Sequence, residues 1–328
     1  MNIRTALPTA LSTGALLGIA FAWLNVPPPV ALALPPIAPI IPRVEPIVGA
    51  RWDLPVVRNP SVERLVDLLH LEQADRMTLY LKRSGRYEGM IRTKLRERGM
   101  PEDLLYLAMV ESAFDPNAVS KASAVGMWQF VAETGRRHGL RVDAWVDERR
   151  DPVRSTDAAL DYLQVLYERF GAWNLAAAAY NTGENRVARV MRQVTGSERG
   201  NENDYWRISG RLPAETRGYV PLMFAAALIG KEPEKYGLEG VERLLPIASE
   251  RVAVAGGTSL RVVAAAVGVP TGDIQELNPH LIRGMTPPGA PYVVNIPEGR
   301  SARFAANMAP RPGTAVAVAP SRVVRAPS

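Results

Sequence analysis

The spacing of apolar residues predicts a chain that is mainly α-helical. Apolar side chains recur every three or four residues from Val62 to Leu69, after a predicted cap at Ser61, and again from Tyr87 to Leu95. The same period predicts further helices at residues 101–111, 152–170, 174–180, 184–193 and 213–229. Since no stretch between residues 99 and 240 alternates as a half-buried strand does, we expect a helical domain there.

The C-terminal part of the chain has a different pattern. Two strand-like runs enclose two short helical segments, in the order 251–255, 259–266, 271–277 and 292–296. The pairs Gly256-Gly257 and Asn278-Pro279 break the pattern between them. We therefore predict a small βααβ module over residues 250–298, which follows the helical domain.

The N-terminal residues 1–26 predict an export signal. A single cation, Arg4, precedes an apolar run, and two Ala-x-Ala steps that end at Ala22 and Ala33 offer cleavage sites. If it is not cleaved, the run could anchor the chain, although about 17 residues is the short limit for a bilayer about 30 Å thick. Residues 27–60 contain ten prolines, which fix φ and remove amide donors, so they predict a semi-rigid linker.

The formal net charge of +6 belongs to the two ends of the chain. Arg4 and the five arginines of residues 299–328, which contain no acid, account for the whole excess. A nucleic-acid-binding protein carries its basic residues on the folded body, so we expect no nucleic-acid partner. The tail at 299–328 lacks periodicity and is predicted to be disordered, and any attraction to an anionic polymer or membrane belongs mostly to it.

The residue types exclude several kinds of site. Without cysteine the chain can form no disulfide, thiol nucleophile, Cys-ligated zinc, iron–sulfur cluster or lipidated N-terminal cysteine. The three histidines, His70, His138 and His280, lack the spacing of metal ligands. We therefore expect neither a metal nor a cofactor.

Glu111 is the first candidate for chemistry. It follows Leu104, Leu107 and Ala108 at helical spacing, which places its carboxylate on the apolar face of the predicted helix. Burial disfavours the charged form of a carboxyl group and raises its pKa, so such a group can donate a proton near neutral pH. Considered alone, Glu111 could equally be a helix-end glutamate that faces solvent or pairs with an arginine.

A loop of small residues follows this helix and closes in Gly126-Met127-Trp128-Gln129-Phe130. Such a loop suits a sugar, since a ring face can pack on the aromatic side chain while the amide bonds hydroxyl or acetamido groups. Without Glu111 upstream, Trp128 and Phe130 would be read as ordinary core residues.

These features belong to four ordered motifs that resemble those of the lytic transglycosylases with a goose-lysozyme-like catalytic domain. The motifs are Glu111-Ser112-Ala113-Phe114-Asp115-Pro116 with Ala118 and Ser120, then Gly126-Met127-Trp128-Gln129-Phe130, Ala179-Tyr180-Asn181-Thr182-Gly183, and Glu215-Thr216-Arg217-Gly218-Tyr219-Val220. Residues 149–163 resemble the membrane-bound murein transglycosylase D branch. The resemblance covers about residues 50–240. It departs from the wider family at Ser123, where glycine is common, and at Met127-Trp128, where the soluble branch has Leu-Met.

The resemblance implies a lysozyme-like α-helical catalytic domain at residues 99–240, preceded by a helical segment at residues 61–98. It also implies a reaction in which Glu111 is the only acid/base. Glu111 would protonate the glycosidic oxygen between N-acetylmuramic acid and N-acetylglucosamine, then take the proton of the muramoyl C6 hydroxyl as that oxygen attacks C1. The product would be a 1,6-anhydromuramoyl end, formed without water.

The resemblance further implies which side chains line the cleft. Six residues match family cleft positions: Ser120, Met127, Gln129, Tyr180, Asn181 and Glu215. Ser120 matches a serine near the acetamido group, and Tyr180 matches a tyrosine that bonds the catalytic glutamate or faces the developing oxocarbenium ion. Asn181 would shape its turn. Glu215 has no specified role, and Tyr219 is as consistent with packing as with contact.

Two other functions remain open from the sequence. A hydrolase of the same fold, a lysozyme or chitinase, needs a second carboxylate, about 5–5.5 Å from the acid if retaining or about 6.5–9.5 Å if inverting. Asp115 is the nearest acid in sequence, but its place before Pro116 is typical of a turn. A single carboxylate suits attack by a hydroxyl that the substrate already holds in place. The second alternative is a catalytically silent cell-wall scaffold.

Residues 251–297 resemble a LysM domain, a module that reads N-acetylglucosamine. The supporting residues are Gly257-Thr258-Ser259-Leu260, Leu277-Asn278-Pro279 and Val294-Asn295-Ile296-Pro297. Gly257 stands where the usual turn has aspartate, so a module that packs without binding glycan is the alternative. Together with the export signal, the resemblances imply peptidoglycan strands as substrate and a location in the periplasm or cell envelope, soluble or N-terminally anchored.

Overall fold

The computed structural model describes residues 52–308. The predicted export signal or anchor at 1–26, most of the linker at 27–60 and the last twenty residues of the predicted tail lie outside this part of the chain. Between residues 52 and 308, no helix combines the length and the apolar character that a membrane crossing requires.

The described residues form two compact units. The larger comprises residues 52–247 with 279–283, and the smaller comprises residues 248–278 with 284–308. The larger unit contains α1 (Pro60–Asp67), a π-helical turn (Leu68–Glu72), α2 (Ala74–Glu97), α3 (Leu105–Ser112), α4 (Ala132–Arg137), α5 (Pro152–Phe170), α6 (Trp173–Thr182), α7 (Glu184–Thr195), α8 (Glu202–Ile208) and α9 (Ala214–Lys231). The predicted mainly helical fold class is confirmed.

The start of α1 differs from the prediction. The side chain of Asn59, rather than that of Ser61, caps the helix by accepting hydrogen bonds from the amides of Ser61 and Val62, both at 3.0 Å. Pro60 occupies the first helical position, where its missing amide hydrogen costs nothing and its fixed φ suits the helix. The cap therefore lies two residues earlier than the sequence suggested.

The core of the larger unit surrounds two helices that are buried on every side. All eight residues of α3 and all ten of α6 are buried, and α9 is buried from Tyr219 to Ile229. A helix that is apolar around its whole circumference belongs in the centre of a domain. Helix α3 packs against α2 and α9, and α6 packs against α5, α7, α8 and α9. Any polar side chain on α3 is consequently removed from water.

A buried ion pair joins the start of α3 to the end of α9. The ammonium group of Lys231 pairs with the carboxylate of Asp103, which is 2 % exposed, and it lies 4.5 Å from the ring centroid of Trp52. The other carboxylate oxygen of Asp103 accepts hydrogen bonds from the amides of Asp53 and Leu54, at 2.9 and 3.2 Å. Because a buried charge without its partner is costly, these contacts fix both helices at this end.

The loop between α3 and α4 is held by Arg149. Its guanidinium group donates twice to Asp147, at 2.8 Å each, and donates to the carbonyl oxygens of Phe130 and Ser123 at 3.1 and 3.2 Å. Gly126 lies against the same segment with φ of +85°, and a Cβ atom there would lie 1.8 Å from the carbonyl oxygen of Arg149. Only glycine fits this close approach of two backbones.

The smaller unit contains the predicted strand–helix–helix–strand order. β1 (Ser249–Val254) pairs antiparallel with β2 (Tyr292–Pro297), in a register that runs from Ser249 opposite Pro297 to Val254 opposite Tyr292. Helices α10 (Leu260–Val267) and α11 (Thr271–Leu277) lie between the strands in sequence and pack on each other.

The predicted disorder from residue 299 onward is wrong for residues 301–308. These residues form helix α12 (Ser301–Met308), which packs on α10 and β1 and buries Phe304. The side-chain amide of Asn307 also donates to the carbonyl oxygen of Ala266, at 2.8 Å. One aromatic side chain and one hydrogen bond therefore extend the module past the predicted boundary at residue 298.

Replacing Gly126 with alanine is expected to destabilise the protein by about 3 kcal/mol, because a left-handed φ and a clash with the backbone of Arg149 add together. Gly139→Ala is the matched control, since Gly139 has φ of +83° with no atom within 4 Å of a Cβ. It should cost about 1 kcal/mol. Denaturant unfolding measures both values, and equal losses would show that the contact with Arg149 is not tight.

Candidate active site

Glu111 lies in the last turn of α3, and the chain turns sharply after it. Ala113 and Phe114 both adopt left-handed backbone conformations, with φ of 55° and 56°. Such conformations are costly for residues with side chains and persist where surrounding contacts enforce them. Here the hydroxyl of Ser112 donates to the carbonyl oxygen of Met127 at 2.8 Å, and it accepts a hydrogen bond from the amide of Asp115 at 3.1 Å. The end of α3 is thus tied to the loop that follows.

The carboxyl group of Glu111 is buried and held on one side. Glu111 is only 2 % exposed, and the hydroxyl of Tyr219 donates a hydrogen bond to its Oε1 at 2.6 Å. Among residues 52–308, no group forms a hydrogen bond with Oε2. Burial raises the pKa of Glu111 to about 8, the hydrogen bond from Tyr219 counteracts this rise, and the charge of Glu215 adds to it. The raised pKa favours the protonated acid at neutral pH, and within residues 52–308 its second oxygen makes no hydrogen bond.

Tyr219 is the partner that sequence reasoning left undecided. It lies on α9, which packs against α3, and it is fully buried. Glu215 precedes it by four residues on the same helix, so the two side chains share a face and both act on Glu111. The signal was present in the spacing of Glu215 and Tyr219, but the sequence could not show that α9 crosses α3 at this point.

Tyr180 lies beside the acid without bonding it. Its hydroxyl donates to the carbonyl oxygen of Trp128 at 2.8 Å. Burial raises the pKa of Tyr180 well above its ordinary value, and the negative charge of Glu111 adds to the rise, which places the two groups in the same low-dielectric surroundings. Of the two expected roles for Tyr180, a bond to the glutamate is not formed, because the hydroxyl donates to Trp128 instead, and a position facing the reacting sugar stays a prediction.

Trp128 is a core residue and cannot be a platform for a sugar. It is completely buried, and its indole nitrogen donates to the hydroxyl of Thr156 on α5 at 2.9 Å. The expectation that a sugar ring packs on this aromatic side chain is therefore wrong. A buried indole with a satisfied N–H is typical of a packing role.

The loop residues that match family cleft positions are brought together around one tight turn. Gln129 has φ of 49°, and its side-chain amide donates to the carbonyl oxygen of Gly126 at 2.9 Å. The hydroxyl of Ser120 accepts a hydrogen bond from the amide of Ala124 at 3.0 Å. Met127 is completely buried. Ser123, which stands where the family commonly has glycine, has the left-handed φ of 59° that glycine favours.

Asn181 joins α6 to α9 and retains an available donor. Its side-chain oxygen accepts a hydrogen bond from the hydroxyl of Thr216 at 2.9 Å, while its buried Nδ2 has no hydrogen-bond partner among residues 52–308. Asp115 behaves as a turn residue, because its side chain accepts the amide of Asn117 at 2.8 Å and pairs with Arg83 at 3.2 Å. Within the same described range, no cluster of three acidic or histidine side chains is arranged to hold a metal ion.

Comparison with known proteins finds that two parts of the chain match domain families. Residues 89–203 match the family described as Transglycosylase SLT domain, and residues 248–311 match the family described as Lytic transglycosylase MltD, LysM-like domain. The motif resemblance to this family, including its transglycosylase D branch, is confirmed.

Two relatives illustrate the extent of the similarity. Membrane-bound lytic murein transglycosylase D of Escherichia coli (strain K12) is 36 % identical over 222 residues, which cover 66 % of this chain and 47 % of that protein. Peptidoglycan transglycosylase gp16 of Escherichia phage T7 is 39 % identical over 104 residues, which cover 31 % of this chain and 8 % of that protein.

A solved structure of an inactive mutant of the lytic transglycosylase Slt from Pseudomonas aeruginosa is 24 % identical, covers 55 % of this chain and 28 % of that chain, and has a TM-score of 0.35. The chain spans about half the length of transglycosylase D, the first of these relatives. In these two ranges the chain is similar to the transglycosylase SLT domain family, over residues 89–203, and to the LysM-like domain family of lytic transglycosylase MltD, over residues 248–311.

Proposed function

We propose that this protein is a peptidoglycan lytic transglycosylase that cleaves the β-1,4 bond between N-acetylmuramic acid and N-acetylglucosamine and leaves a 1,6-anhydromuramoyl end. The SLT domain match supports this reaction class, as does the similarity to proteins named murein transglycosylases. The observation that carries the proposal is the carboxyl group of Glu111, which is buried and held on one oxygen by Tyr219. Burial raises its pKa to about 8, which favours the proton-donating form.

The first half of the reaction uses Glu111 as an acid. Oε2, the carboxyl oxygen that makes no hydrogen bond within residues 52–308, delivers the proton to the glycosidic oxygen as the bond from that oxygen to C1 breaks. The resulting carboxylate keeps its hydrogen bond from Tyr219, which stabilises the charged form in surroundings that otherwise disfavour it. A buried acid that is poised near neutral pH can give up its proton and take one back.

The second half of the reaction uses the same group as a base. The carboxylate of Glu111 takes the proton of the muramoyl C6 hydroxyl while that oxygen forms its bond to C1. The acid is regenerated and no water is consumed. The leaving sugar keeps the proton that Glu111 gave to its oxygen, and the new carbon–oxygen bond closes a ring within the muramoyl sugar. Because the attacking hydroxyl is part of the substrate, the enzyme needs no second group to activate a nucleophile.

Glu215 is the acid on which the hydrolytic alternative would depend. Its charge acts on Glu111, and it lies one helical turn before Tyr219. In a hydrolase of this fold a second carboxylate would activate water or attack the sugar. In our proposal Glu215 instead keeps the pKa of Glu111 high, which favours the protonated form that begins the reaction.

We also infer an extracytoplasmic location. A glycan substrate in the cell wall, the apolar N-terminal run and the name membrane-bound given to transglycosylase D support export to the periplasm or cell envelope. The chain would be soluble or held by its N-terminal segment, with glycan strands as its partner and no nucleic acid. The LysM-like module would add a second contact with the same polymer.

Glu111→Gln is expected to abolish strand cleavage, since an amide can neither donate nor recover the proton, while the protein stays folded. The matched variant Glu215→Gln should keep activity and still produce anhydro ends, with the alkaline fall of activity moved to lower pH. Mass spectrometry of digested peptidoglycan identifies the ends, because anhydro products are lighter by one water. Reducing muramic ends from the wild type, together with an inactive Glu215→Gln variant, would establish the hydrolase.

Tyr219→Phe is expected to lower kcat about 10- to 100-fold, the usual worth of a hydrogen bond to a charged group. In the wild type the hydrogen bond from Tyr219 lowers the pKa of Glu111, so the loss of this bond in the variant raises that pKa. Activity requires the protonated acid, and wild-type activity should therefore fall as pH rises past about 8, with the variant falling at higher pH.

The pH–rate profile measures this shift. Tyr205→Phe is the control, because Tyr205 is also buried and donates to the backbone carbonyl oxygens of Thr216 and Arg217, without contacting Glu111. An unshifted alkaline limb in Tyr219→Phe, or an equal shift in Tyr205→Phe, would contradict the assigned role of Tyr219.

The stability of the protein should also report the buried acid. Between the ordinary pKa of a glutamate, 4.5, and the folded value of about 8, the folded chain binds more protons at Glu111 than the unfolded chain, so stability falls as pH rises. Glutamine does not titrate. The stability of Glu111→Gln relative to wild type is therefore expected to increase across this window and to level off above it. Urea unfolding at several pH values measures the difference, and a constant difference would mean that Glu111 is not buried as the acid.

A further inference from the structure

Four rings beside the candidate active site form a continuous aromatic cluster. Tyr162 lies between two neighbours, with ring centroids 5.3 Å from Tyr180 and 4.6 Å from His138. Phe130 completes the cluster, 6.1 Å from Tyr180 and 6.5 Å from His138. Rings at these distances interact favourably, so the cluster holds each of its members in a defined orientation.

The cluster begins beside the acid and ends at the surface. The charge of Glu111 acts on Tyr180 and contributes to its raised pKa. Tyr180 is 6 % exposed, and Phe130 and Tyr162 are only 3 % and 4 % exposed. His138 is the one ring of the four with substantial exposure. It follows α4 directly. Of these four rings, the imidazole of His138 is therefore the one that a ligand can reach most readily.

Polar groups border this imidazole. The hydroxyl of Tyr162 donates to Oε2 of Glu184 at 3.0 Å, which orients that carboxylate at the start of α7. The other carboxylate oxygen lies 3.8 Å from a guanidinium nitrogen of Arg137. Both side chains remain accessible, since that of Glu184 is 28 % exposed and that of Arg137 is 54 % exposed. An oriented carboxylate next to a ring is the pairing that binds a sugar hydroxyl and a sugar face at once.

The charge state of His138 agrees with such a role. Burial of part of the ring lowers its pKa, and Arg137 lowers it further, against the opposite effects of Asp161 and Glu184. A neutral imidazole presents one nitrogen that donates and one that accepts a hydrogen bond. Its ring also lacks the tightly held hydration of a cation, so a sugar displaces less strongly bound water.

We propose that His138 and Glu184 form a saccharide subsite of the cleft, in which one N-acetylated pyranose of the glycan strand packs on the imidazole and bonds the carboxylate. The aromatic cluster links this subsite to Glu111, since Tyr162 contacts both His138 and Tyr180, and Tyr180 interacts with the charge of Glu111. It rests on the proposed function, because its ligand is the strand that Glu111 cleaves. It also replaces Trp128, whose complete burial removes it as a platform.

The experiment compares the wild-type chain with His138→Ala and His138→Phe on uncrosslinked glycan strands of defined length, from the tetrasaccharide upwards. His138→Ala should raise KM for long strands about 3- to 10-fold, the worth of one aromatic contact, with a smaller change in kcat. The tetrasaccharide, too short to fill distant subsites, should show a smaller change in KM. His138→Phe should restore most of the affinity for long strands, because it keeps the ring face.

His70→Ala is the matched control. His70 also contacts a tyrosine ring, that of Tyr236 at 5.5 Å, on different elements of the same unit. Loss of one histidine–tyrosine contact should affect the melting temperature in both alanine variants, but only His138→Ala should change the dependence of KM on strand length. An unchanged length dependence in His138→Ala, or the same change in His70→Ala, would overturn the subsite.

The ends of the products test the proposed reaction independently of the subsite. If the wild type releases reducing ends, the proposed transglycosylase reaction fails, and the length dependence still decides the subsite. If the wild type cleaves no strand of any length, both the proposed function and the subsite that rests on it are wrong.

Discussion

The burial of one carboxyl group, that of Glu111, is the constraint around which the larger unit is organised. Removing an ionisable group from water costs free energy, and the chain limits that cost by keeping the group protonated and by giving its charged form one donor, Tyr219. Both conditions require α3 and α9 to pass close together in the centre of the domain. The packing of these two helices is therefore a requirement of the chemistry as well as of the core.

The acid is held in place by contacts between the end of its helix and the loop that follows. The left-handed turn at Ala113 and Phe114 directs the chain away immediately after α3, and the hydroxyl of Ser112 binds this turn to the following loop. The guanidinium group of Arg149 also holds this loop, because it donates hydrogen bonds to two carbonyl oxygens of the loop. Backbone strain next to Glu111 is thus balanced by hydrogen bonds, an arrangement that resists displacement of the acid.

Much of the helical framework could be predicted because long helices repeat their apolar residues over several turns. The period located α5 and α9 and placed Glu111 on a buried face. Helices α4 and α8 were missed because six and seven residues give too few turns to show a period, although a capping box at Asn201 marks the start of α8. Helix α12 buries a single side chain, that of Phe304, so its short sequence resembles a tail.

The site was harder to predict than the helices, because its contacts depend on which helices cross. The sequence favoured Tyr180 over Tyr219 as a partner of Glu111, and only the crossing of α3 and α9 decides that Tyr219 bonds Glu111. The same limit applied to Trp128, since a tryptophan next to a loop can face solvent or the core. The hydroxyl of Thr156 on α5, far away in sequence, decides for the core.

The ion pair of Lys231 and Asp103 has a practical consequence for how the protein can be shortened. Residues 52–54 supply the ring over the ammonium group and two of the hydrogen bonds to the carboxylate. A truncated chain that starts at α1 would lack these three residues, and it would open a buried charge pair at the ends of the two helices that carry Glu111 and Tyr219. The structured part of the domain therefore begins in the short segment before its first helix. A shortened chain has to start upstream of Trp52 to keep the domain intact.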